Sequence, residues 1–257
     1  MRSASEIVSR ETLPVVIAAM EQLRLQLEAW GIGLDDSLLP HLEQYAHLLA
    51  EYNLANVIGT ADQSQIITDH LLDSLSCLSF KDLDNAGSLV DVGTGGGLPG
   101  VPLGIARPGL SVTLLEATEK KVKFLRYVQE ELGMWNMQLL NSRAEEVGKD
   151  PKYREAFQVA TTRAVAALPV ITEYCAPLVQ VGGTILAMKG RLPDAELAQG
   201  VKAGSVLGLK FQEVLQLEYL KELRQKERRI VVFKKVVALS KSFPRRTGLA
   251  KKRPLGA

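Results

Sequence analysis

The stretch that decides the fold is Leu89-Val90-Asp91-Val92-Gly93-Thr94-Gly95-Gly96-Gly97-Leu98-Pro99-Gly100. Its apolar start predicts a short buried strand over 89–92, and five glycines follow within the next eight residues. The run 101–106 that comes next can begin a helix. A strand that enters a glycine-rich turn before a helix brings backbone N–H groups close to a ligand, because glycine lacks Cβ and tolerates positive φ. The stretch therefore predicts a nucleotide or cofactor turn.

The glycines fit two patterns that imply different ligands. One is Gly93-x-Gly95-x-Gly97 after an acidic residue, and the other is Gly95-x-Gly97-x-x-Gly100, the dinucleotide fingerprint. We expect Asp91 to end the strand and face the ligand crevice. A carboxylate ~4 Å from a pyrophosphate would cost roughly 1 to 4 kcal/mol, whereas S-adenosylmethionine has no phosphate and carries a sulfonium and an ammonium. Asp91 favours S-adenosylmethionine, and a nicotinamide-dependent oxidoreductase is the alternative.

The composition is that of a soluble globular protein, since 46% of the 257 residues are hydrophobic and 23% are charged. No apolar run reaches the ~18 to 20 residues of a membrane helix, and residues 1–11 lack the apolar core and cleavage site of a signal peptide. We therefore expect a cytoplasmic protein that does not bind membranes. The two cysteines are far apart in sequence, and His41 and His47 point away from each other on a helix, so no metal site is predicted.

Charge is segregated along the chain. Residues 1–80 contain three basic and eleven acidic residues, whereas the last seventeen residues, 241–257, contain six basic residues and no acidic one. Such segregation indicates that one face or tail meets a polyanion. We treat 241–257 as a basic C-terminal tail and expect it to neutralise phosphates.

The periodicity of apolar residues divides the rest of the chain in two. Three amphipathic helices, from Leu13 to Trp30, from Leu38 to Tyr52 and from Ile66 to Leu78, make 1–80 an N-terminal helical extension. Alternating strands and helices then predict an α/β domain over 81–240, with a doubly wound, mostly parallel sheet that ends in a hairpin. The predicted strands cover 89–92, 112–115, 137–140, 157–160, 184–188, 214–219 and 230–237, and the predicted helices cover 119–132, 168–181 and 191–203.

Ligands of such sheets bind beyond the carboxyl ends of the strands. Glu116 ends the second strand 23 residues after Gly93, where an acidic side chain accepts hydrogen bonds from both ribose hydroxyls of an adenosine. Dehydrogenases use this position in the same way, so Glu116 supports adenosine without choosing a reaction. Ala144-Glu145 follows the third strand, where methyltransferases commonly contact the adenine.

The segment after the fourth strand, Thr161-Thr162-Arg163-Ala164, bears on the methyl acceptor. It lacks the Asn- or Asp-Pro-Pro-aromatic tetrapeptide of enzymes that methylate exocyclic amines, and neither cysteine follows a proline as in enzymes that methylate carbon 5 of pyrimidines. A ring nitrogen such as guanine N7 remains favoured, because its methylation requires in-line placement and no base. Arg163 and Lys189 can hold a phosphate or the guanine edge, since Arg matches the N7 and O6 acceptors.

Several short motifs in this order resemble a known family. They are Asn53-Leu54, His70-x-x-Asp73-Ser74, the glycine turn, Arg163-Ala164, Lys189-Gly190 and the closing Pro244-Arg245-Arg246…Lys251-Lys252-Arg253-Pro254-Leu255. Over roughly 40–257 the chain resembles the bacterial glucose-inhibited division protein B family of 16S ribosomal RNA guanine-N7 methyltransferases. Two positions depart from the family pattern. Ala55 replaces a frequent threonine, and Gly96 replaces a frequent proline or alanine.

The resemblance implies a Rossmann-like class I methyltransferase fold with an N-terminal helical extension and S-adenosylmethionine as methyl donor. It implies a guanine in the 530 loop of 16S ribosomal RNA, free or in the small-subunit particle, as acceptor. The family's cofactor contacts correspond to Gly93, Gly95, Leu98, Glu116, Ala117, Thr118, Ala144, Glu145 and Arg163, and we assign His70, Asp73 and Lys189 to the substrate.

No residue is assigned a catalytic role. We expect the helical extension to help shape the RNA site, and we expect a monomer that does not act on DNA. An RNA-binding or ribosome-assembly factor without catalysis stays open as a further alternative.

Overall fold

A computed structural model of the protein describes residues 13–52, 57–217 and 227–256. The Asn53-Leu54 motif, the departure at Ala55 and the last two residues of the predicted strand 214–219 lie outside the described residues. No helix within the described ranges combines the length and apolar character that a membrane crossing requires. In the same part of the chain, no group of three or more His, Cys, Asp or Glu side chains is arranged to hold a metal ion.

The N-terminal extension is helical, as predicted. Helix α1 spans Leu13–Ala29 and α2 spans Leu39–Glu51, whose first turn accommodates Pro40 because the N–H that proline lacks has no partner there. A continuous helical segment then covers 63–79, which we call the composite helix. It consists of an α-helical turn Gln63–Gln65, a π-helical segment Ile66–Leu71, an α-helical turn Leu72–Leu75 and a 3₁₀ turn Ser76–Ser79. Apolar periodicity predicts the helix but does not reveal its π-helical part.

Seven strands form one sheet in the order β3-β2-β1-β4-β5-β7-β6. The strands are β1 Ser88–Val92, β2 Ser111–Glu116, β3 Met137–Asn141, β4 Phe157–Arg163, β5 Val179–Lys189, β6 Leu209–Gln216 and β7 Arg229–Lys235. Strands β1 to β5 pair in parallel, and β7 runs antiparallel to both β5 and β6. The predicted doubly wound, mostly parallel sheet with a final hairpin is confirmed.

The remaining α-helices of the described residues precede β1, connect the strands or follow the last strand. They are α3 Lys81–Asp84, α4 Gly100–Ala106, α5 Glu119–Glu131, α6 Ala144–Val147, α7 Leu168–Cys175, α8 Asp194–Val206 and α9 Leu249–Lys252.

Three predicted boundaries are wrong for local reasons. The helix predicted over 168–181 ends at Cys175, because β5 already begins at Val179. The helix predicted over 191–203 begins only after Pro193, since a proline disfavours helical backbone in the residue before it. Strand β6 begins at Leu209 rather than 214, and a register shift after Phe211 breaks the alternation by which a strand is detected.

Two hydrophobic cores lie on opposite faces of the sheet. One combines α1 and α2 with buried residues of β1 and β2, so that Leu23 and Leu42 share a core with Leu89 and Leu114. The other combines α7 with β5, β7 and the C-terminal residues. The division of the chain at 80 and 240 stays a prediction, because the extension and the sheet are packed into one core.

Candidate active site

The glycine turn after β1 has the backbone that its sequence predicts. Gly93, Gly95 and Gly97 have φ values of +69°, +61° and +100°. A Cβ on Gly93 would lie 2.6 Å from Val165 Cγ2, and a Cβ on Gly97 would lie 2.5 Å from Val101 Cγ2. Backbone conformation and space both require glycine at Gly93 and Gly97.

The side chain of Asp91 stabilises this turn through hydrogen bonds. The side chain is fully buried, and its carboxylate accepts hydrogen bonds from Thr94 Oγ1 at 2.6 Å, Gly100 N at 2.9 Å and Thr161 Oγ1 at 3.1 Å. Burial raises the pKa of Asp91 to about 6, although these hydrogen bonds oppose the shift. The prediction that Asp91 faces the ligand crevice is wrong, because its oxygens are used to close the turn.

The helical extension supports the same turn from the other side. The buried Tyr45 of α2 donates its hydroxyl hydrogen bond to the carbonyl of Gly96 at 2.6 Å. A Cβ on Gly96 would lie 3.2 Å from Leu49 Cδ2, so α2 packs directly on the turn. Burial raises the pKa of the Tyr45 phenol, which therefore remains a donor. Sequence reasoning missed this role, because helical periodicity marks Tyr45 only as a core residue.

A cavity of roughly 280 Å³ opens at the carboxyl ends of β1, β2 and β4, and we call it the Glu116 cavity. Five predicted cofactor residues line it, namely Gly93, Glu116, Ala117, Ala144 and Glu145. Gly95 and Thr118 contact the Glu116 side chain, and Leu98 is buried in the turn. The structure thus brings these predicted residues together around one cavity and the turn beside it.

Glu116 is held in a defined orientation. Its Oε2 accepts a hydrogen bond from Gly95 N at 3.0 Å, and its Oε1 accepts one from Thr118 N at 2.8 Å. Each carboxylate oxygen has a second lone pair. The carboxylate can therefore accept hydrogen bonds from two neighbouring hydroxyl groups, which is the donor set of an adenosine ribose. The residues of this cavity fit S-adenosylmethionine.

A second cavity of roughly 260 Å³ adjoins the first, and we call it the Asp73 cavity. The composite helix contributes His70 and Asp73, the end of β5 contributes Lys189, and Arg228 lies just before β7. Ala164 lines both cavities and has a φ of +57°, a conformation that is strained for a residue other than glycine. The two cavities therefore meet at a strained backbone position at the end of β4.

Ion pairs dominate the Asp73 cavity. Asp73 is 2% exposed, and its Oδ2 lies 3.1 Å from Arg163 Nη1 and 3.5 Å from Arg228 Nε. Burial raises the pKa of Asp73, against the opposing effect of Arg163 and Arg228. Arg163 Nη2 lies 3.1 Å from His70 Nδ1. Because a guanidinium only donates, Nδ1 is the acceptor and the neutral imidazole carries its proton on Nε2.

The remaining predicted residues are placed less simply. The family resemblance assigns Arg163 to the cofactor, whereas the structure places its guanidinium in the Asp73 cavity. Lys189 lines the same cavity, but its ammonium donates to Ala166 O at 3.0 Å and lies 2.8 Å from Glu196 Oε1. Lys189 therefore fixes the loop that follows Ala164. Sequence reasoning missed Arg228, although the run of charged residues 227–229 at the start of β7 is a signal that could have indicated it.

The sequence matches the GidB family, described as rRNA small subunit methyltransferase G, over residues 38–231. Curated relatives of the chain carry the same description, ribosomal RNA small subunit methyltransferase G. The protein of Rubrobacter xylanophilus is 45% identical over 247 residues, covering 96% of this chain and 95% of the relative. That of Pelotomaculum thermopropionicum is 39% identical over 226 residues, covering 88% of this chain and 94% of the relative.

Solved structures support the fold alone. Mitomycin 7-O-methyltransferase MmcR superposes with a TM-score of 0.53 at 16% identity, covering 76% of this chain and 67% of that protein. The 1,6-didemethyltoxoflavin-N1-methyltransferase of Burkholderia thailandensis, solved with S-adenosylhomocysteine, gives 0.52 at 14% identity, covering 76% and 90%. Both are consistent with a Rossmann-like class I methyltransferase fold.

The family matches confirm the resemblance seen in the sequence motifs. They do not support either alternative that the sequence left open, the nicotinamide-dependent oxidoreductase or the factor without catalysis. The chain belongs to the rRNA small subunit methyltransferase G family, whose members use S-adenosylmethionine to methylate ribosomal RNA.

Proposed function

We propose that the chain methylates N7 of a guanine in the 530 loop of 16S ribosomal RNA, with S-adenosylmethionine in the Glu116 cavity and the guanine in the Asp73 cavity. One observation carries this proposal. The two cavities meet at Ala164, and one offers acceptors for an adenosine whereas the other offers charged groups of both signs. A methyl donor and a polar base can therefore lie side by side.

The bound cofactor supplies an activated methyl group on its sulfonium. We assign the ribose hydroxyls to Glu116, which Gly95 and Thr118 orient through their N–H groups. Gly93 and Leu98 belong to the turn that approaches the cofactor. Ala117, Ala144 and Glu145 surround the part of the cavity that we assign to the adenine.

The required geometry at N7 limits what the Asp73 cavity can do. The N7 lone pair must point at the methyl carbon, so no donor can occupy it in the reactive complex. The pairing of Arg163 with both N7 and O6 that the sequence allows is therefore restricted to O6. Asp73 can accept from the N1–H and N2–H groups of guanine, neither of which adenine offers. Asp73 is thus the residue that we expect to select guanine.

No general base is required for this transfer. N7 would accept the methyl group with its own lone pair while the electron pair of the broken carbon–sulfur bond stays on sulfur, so no proton has to leave the purine ring. The product base carries a positive charge, which the carboxylate of Asp73 favours. His70 and Lys189 then serve to hold Arg163 and the loop after Ala164 in place, and the rate enhancement comes from orientation.

Exposed basic residues near the Glu116 cavity complete the proposed RNA surface. Arg143, Arg246, Lys251 and Lys252 are exposed, and Arg143 and Lys251 line that cavity. Cations that neutralise phosphates release counterions on binding. We therefore expect RNA binding to weaken steeply as the salt concentration rises.

Labelled S-adenosylmethionine tests the proposal when it is incubated with the protein and either 16S RNA or small-subunit particles. We expect label at N7 of a guanine in the 530 loop. A matched substrate in which 7-deazaguanosine replaces that guanosine should receive no label, because carbon replaces the accepting nitrogen. Label on another atom, or label that persists on the deaza substrate, would contradict the proposal.

A further inference from the structure

The basic C-terminal tail is held against α7 by an ion pair to a buried carboxylate. Glu173 of α7 is 1% exposed and pairs with Arg245, whose Nε lies 2.8 Å from Oε1 and whose Nη2 lies 2.5 Å from Oε2. Around the start of the tail, Arg154 donates to the carbonyls of Leu239, Ser240 and Phe243. The tail is therefore held at its start and along its length.

A second buried carboxylate ties the tail to the Glu116 cavity. Glu145 lines that cavity, is 4% exposed, and accepts a hydrogen bond from Gly248 N at 2.9 Å. Tyr174 also lines the cavity beside Glu145. One carboxylate is thus both a wall of the cavity and an anchor for the tail.

The tail itself reaches the cavity. Lys251 of α9, three residues after Gly248, lines the Glu116 cavity together with Glu145 and Tyr174. If the tail dissociated from this position, Lys251 would no longer line the cavity and Glu145 would lose the hydrogen bond from Gly248 N. Such a loss would open the cavity to water on that side.

We propose that the tail is a component of the cofactor site, so that tail docking and cofactor binding stabilise each other, with Lys251 as a cofactor-site residue. This inference rests on the proposed placement of S-adenosylmethionine in the Glu116 cavity. Because such linkage is reciprocal, a change that loosens the docked tail lowers the affinity for the cofactor, and bound cofactor stabilises the docked tail.

Calorimetry with S-adenosylhomocysteine tests the first half of this linkage. Glu173→Gln removes the charge that holds Arg245, and we expect affinity to fall at least about five-fold. Glu21→Gln is the matched control, because Glu21 is an exposed carboxylate of α1 that pairs with Arg24 and does not line the Glu116 cavity. Equal affinity of the Glu173 variant, the Glu21 variant and the unaltered protein would overturn the inference.

Hydrogen exchange on the unaltered protein tests the second half and requires no variant to fold. Saturating S-adenosylhomocysteine should slow exchange at Gly248 and its neighbours at least about five-fold, with a smaller effect on α1. Unchanged exchange in the tail would overturn the inference.

Glu116→Gln separates this inference from the site assignment. If that variant binds S-adenosylhomocysteine as tightly as the unaltered protein, the placement of the cofactor is wrong. If it binds weakly while the tail measurements show no linkage, the inference about the tail fails alone.

Discussion

The Glu116 and Asp73 cavities are neighbours that are built in different ways. The first is formed largely by a glycine turn and by a carboxylate that two backbone N–H groups orient. The second is lined by polar and charged side chains from four separate segments, each of which is already engaged with another side chain. Backbone donors are fixed before a ligand arrives, whereas paired side chains must exchange partners to accept one.

This difference divides the work of the enzyme between the cavities. Glu116 keeps a lone pair on each oxygen for a ligand, so the cavity around it is ready for the cofactor. Asp73 contacts two arginines through the same oxygen, Oδ2, so a base must compete with or extend that pairing. We therefore expect changes in the first cavity to alter cofactor affinity and changes in the second to alter methyl transfer.

The largest effect on the first cavity should come from Gly93→Ala. The added Cβ would lie 2.6 Å from Val165 Cγ2, in a backbone conformation with a φ of +69°. We expect S-adenosylhomocysteine to bind at least about 100-fold more weakly, or about 3 kcal/mol, in calorimetry. Gly182→Ala is the matched control, because its φ is +84° but no atom lies within 4 Å of the added Cβ. Equal affinity of the Gly93 variant and the control would contradict the turn's role.

The corresponding change in the second cavity is Asp73→Asn. Within the described residues, the amide leaves Arg163 and Arg228 without a negative partner. Its nitrogen donates instead of accepting, so the amide cannot accept one hydrogen bond of the base at each of its two terminal atoms. Loss of charged hydrogen bonds worth about 2 kcal/mol predicts single-turnover transfer about 30-fold slower. Cofactor affinity should remain within about two-fold, since the cavities are built separately. Asp84→Asn is the control, because its carboxylate contacts Arg107 on the surface.

The Asp73→Asn variant also tests whether the two cavities act independently. If calorimetry shows that cofactor affinity falls in parallel with transfer, the two cavities act as a single unit.

A smaller loss of affinity should follow Glu116→Gln. The glutamine keeps one oxygen as acceptor and loses the charge, so one hydroxyl bond of about 1.5 kcal/mol is lost and binding weakens about ten-fold. Glu119→Gln, an exposed carboxylate in the first turn of α5, should bind as the unaltered protein does. Saturating cofactor should restore the transfer rate of the Glu116 variant, and a rate that stays low would assign Glu116 a role beyond binding.

The smallest effect that we predict is that of Tyr45→Phe. It removes one buried hydrogen bond to Gly96 O, worth about 1 kcal/mol, and should weaken cofactor binding about five-fold. Tyr52→Phe is the control, since its ring packs on Phe124 at 4.6 Å between centroids. If Tyr45→Phe instead raises the KM for RNA and leaves cofactor affinity unchanged, the extension serves the RNA site, as the sequence led us to expect.

The sequence predicts the first cavity well because its parts are local. A strand, a glycine turn and an acidic residue at the end of the next strand are recognisable along the chain, and Gly93 and Glu116 lie where this pattern places them. The same holds for the sheet, since alternating apolar strands and helices leave few possible topologies. The π-helical segment that carries His70 has no such local signal.

The sequence does not predict where a charged side chain finds its partner. Asp91 is directed into the turn by the donors Thr94, Gly100 and Thr161, and these contacts depend on how the turn closes. Lys189 pairs with Glu196 of α8, and Arg228, just before β7, pairs with Asp73 of the composite helix. Such pairings are tertiary, and only the folded chain selects among the available carboxylates.

The claim that the adjoining cavities serve one transfer to guanine N7 is tested most directly by mass mapping of 16S RNA from cells that lack this protein. Cells that regain the unaltered protein should regain a single N7-methylguanine in the 530 loop, whereas cells given Asp73→Asn should regain little of it. If the modified guanine persists without the protein, or if the regained methyl group lies on another atom, the account is contradicted.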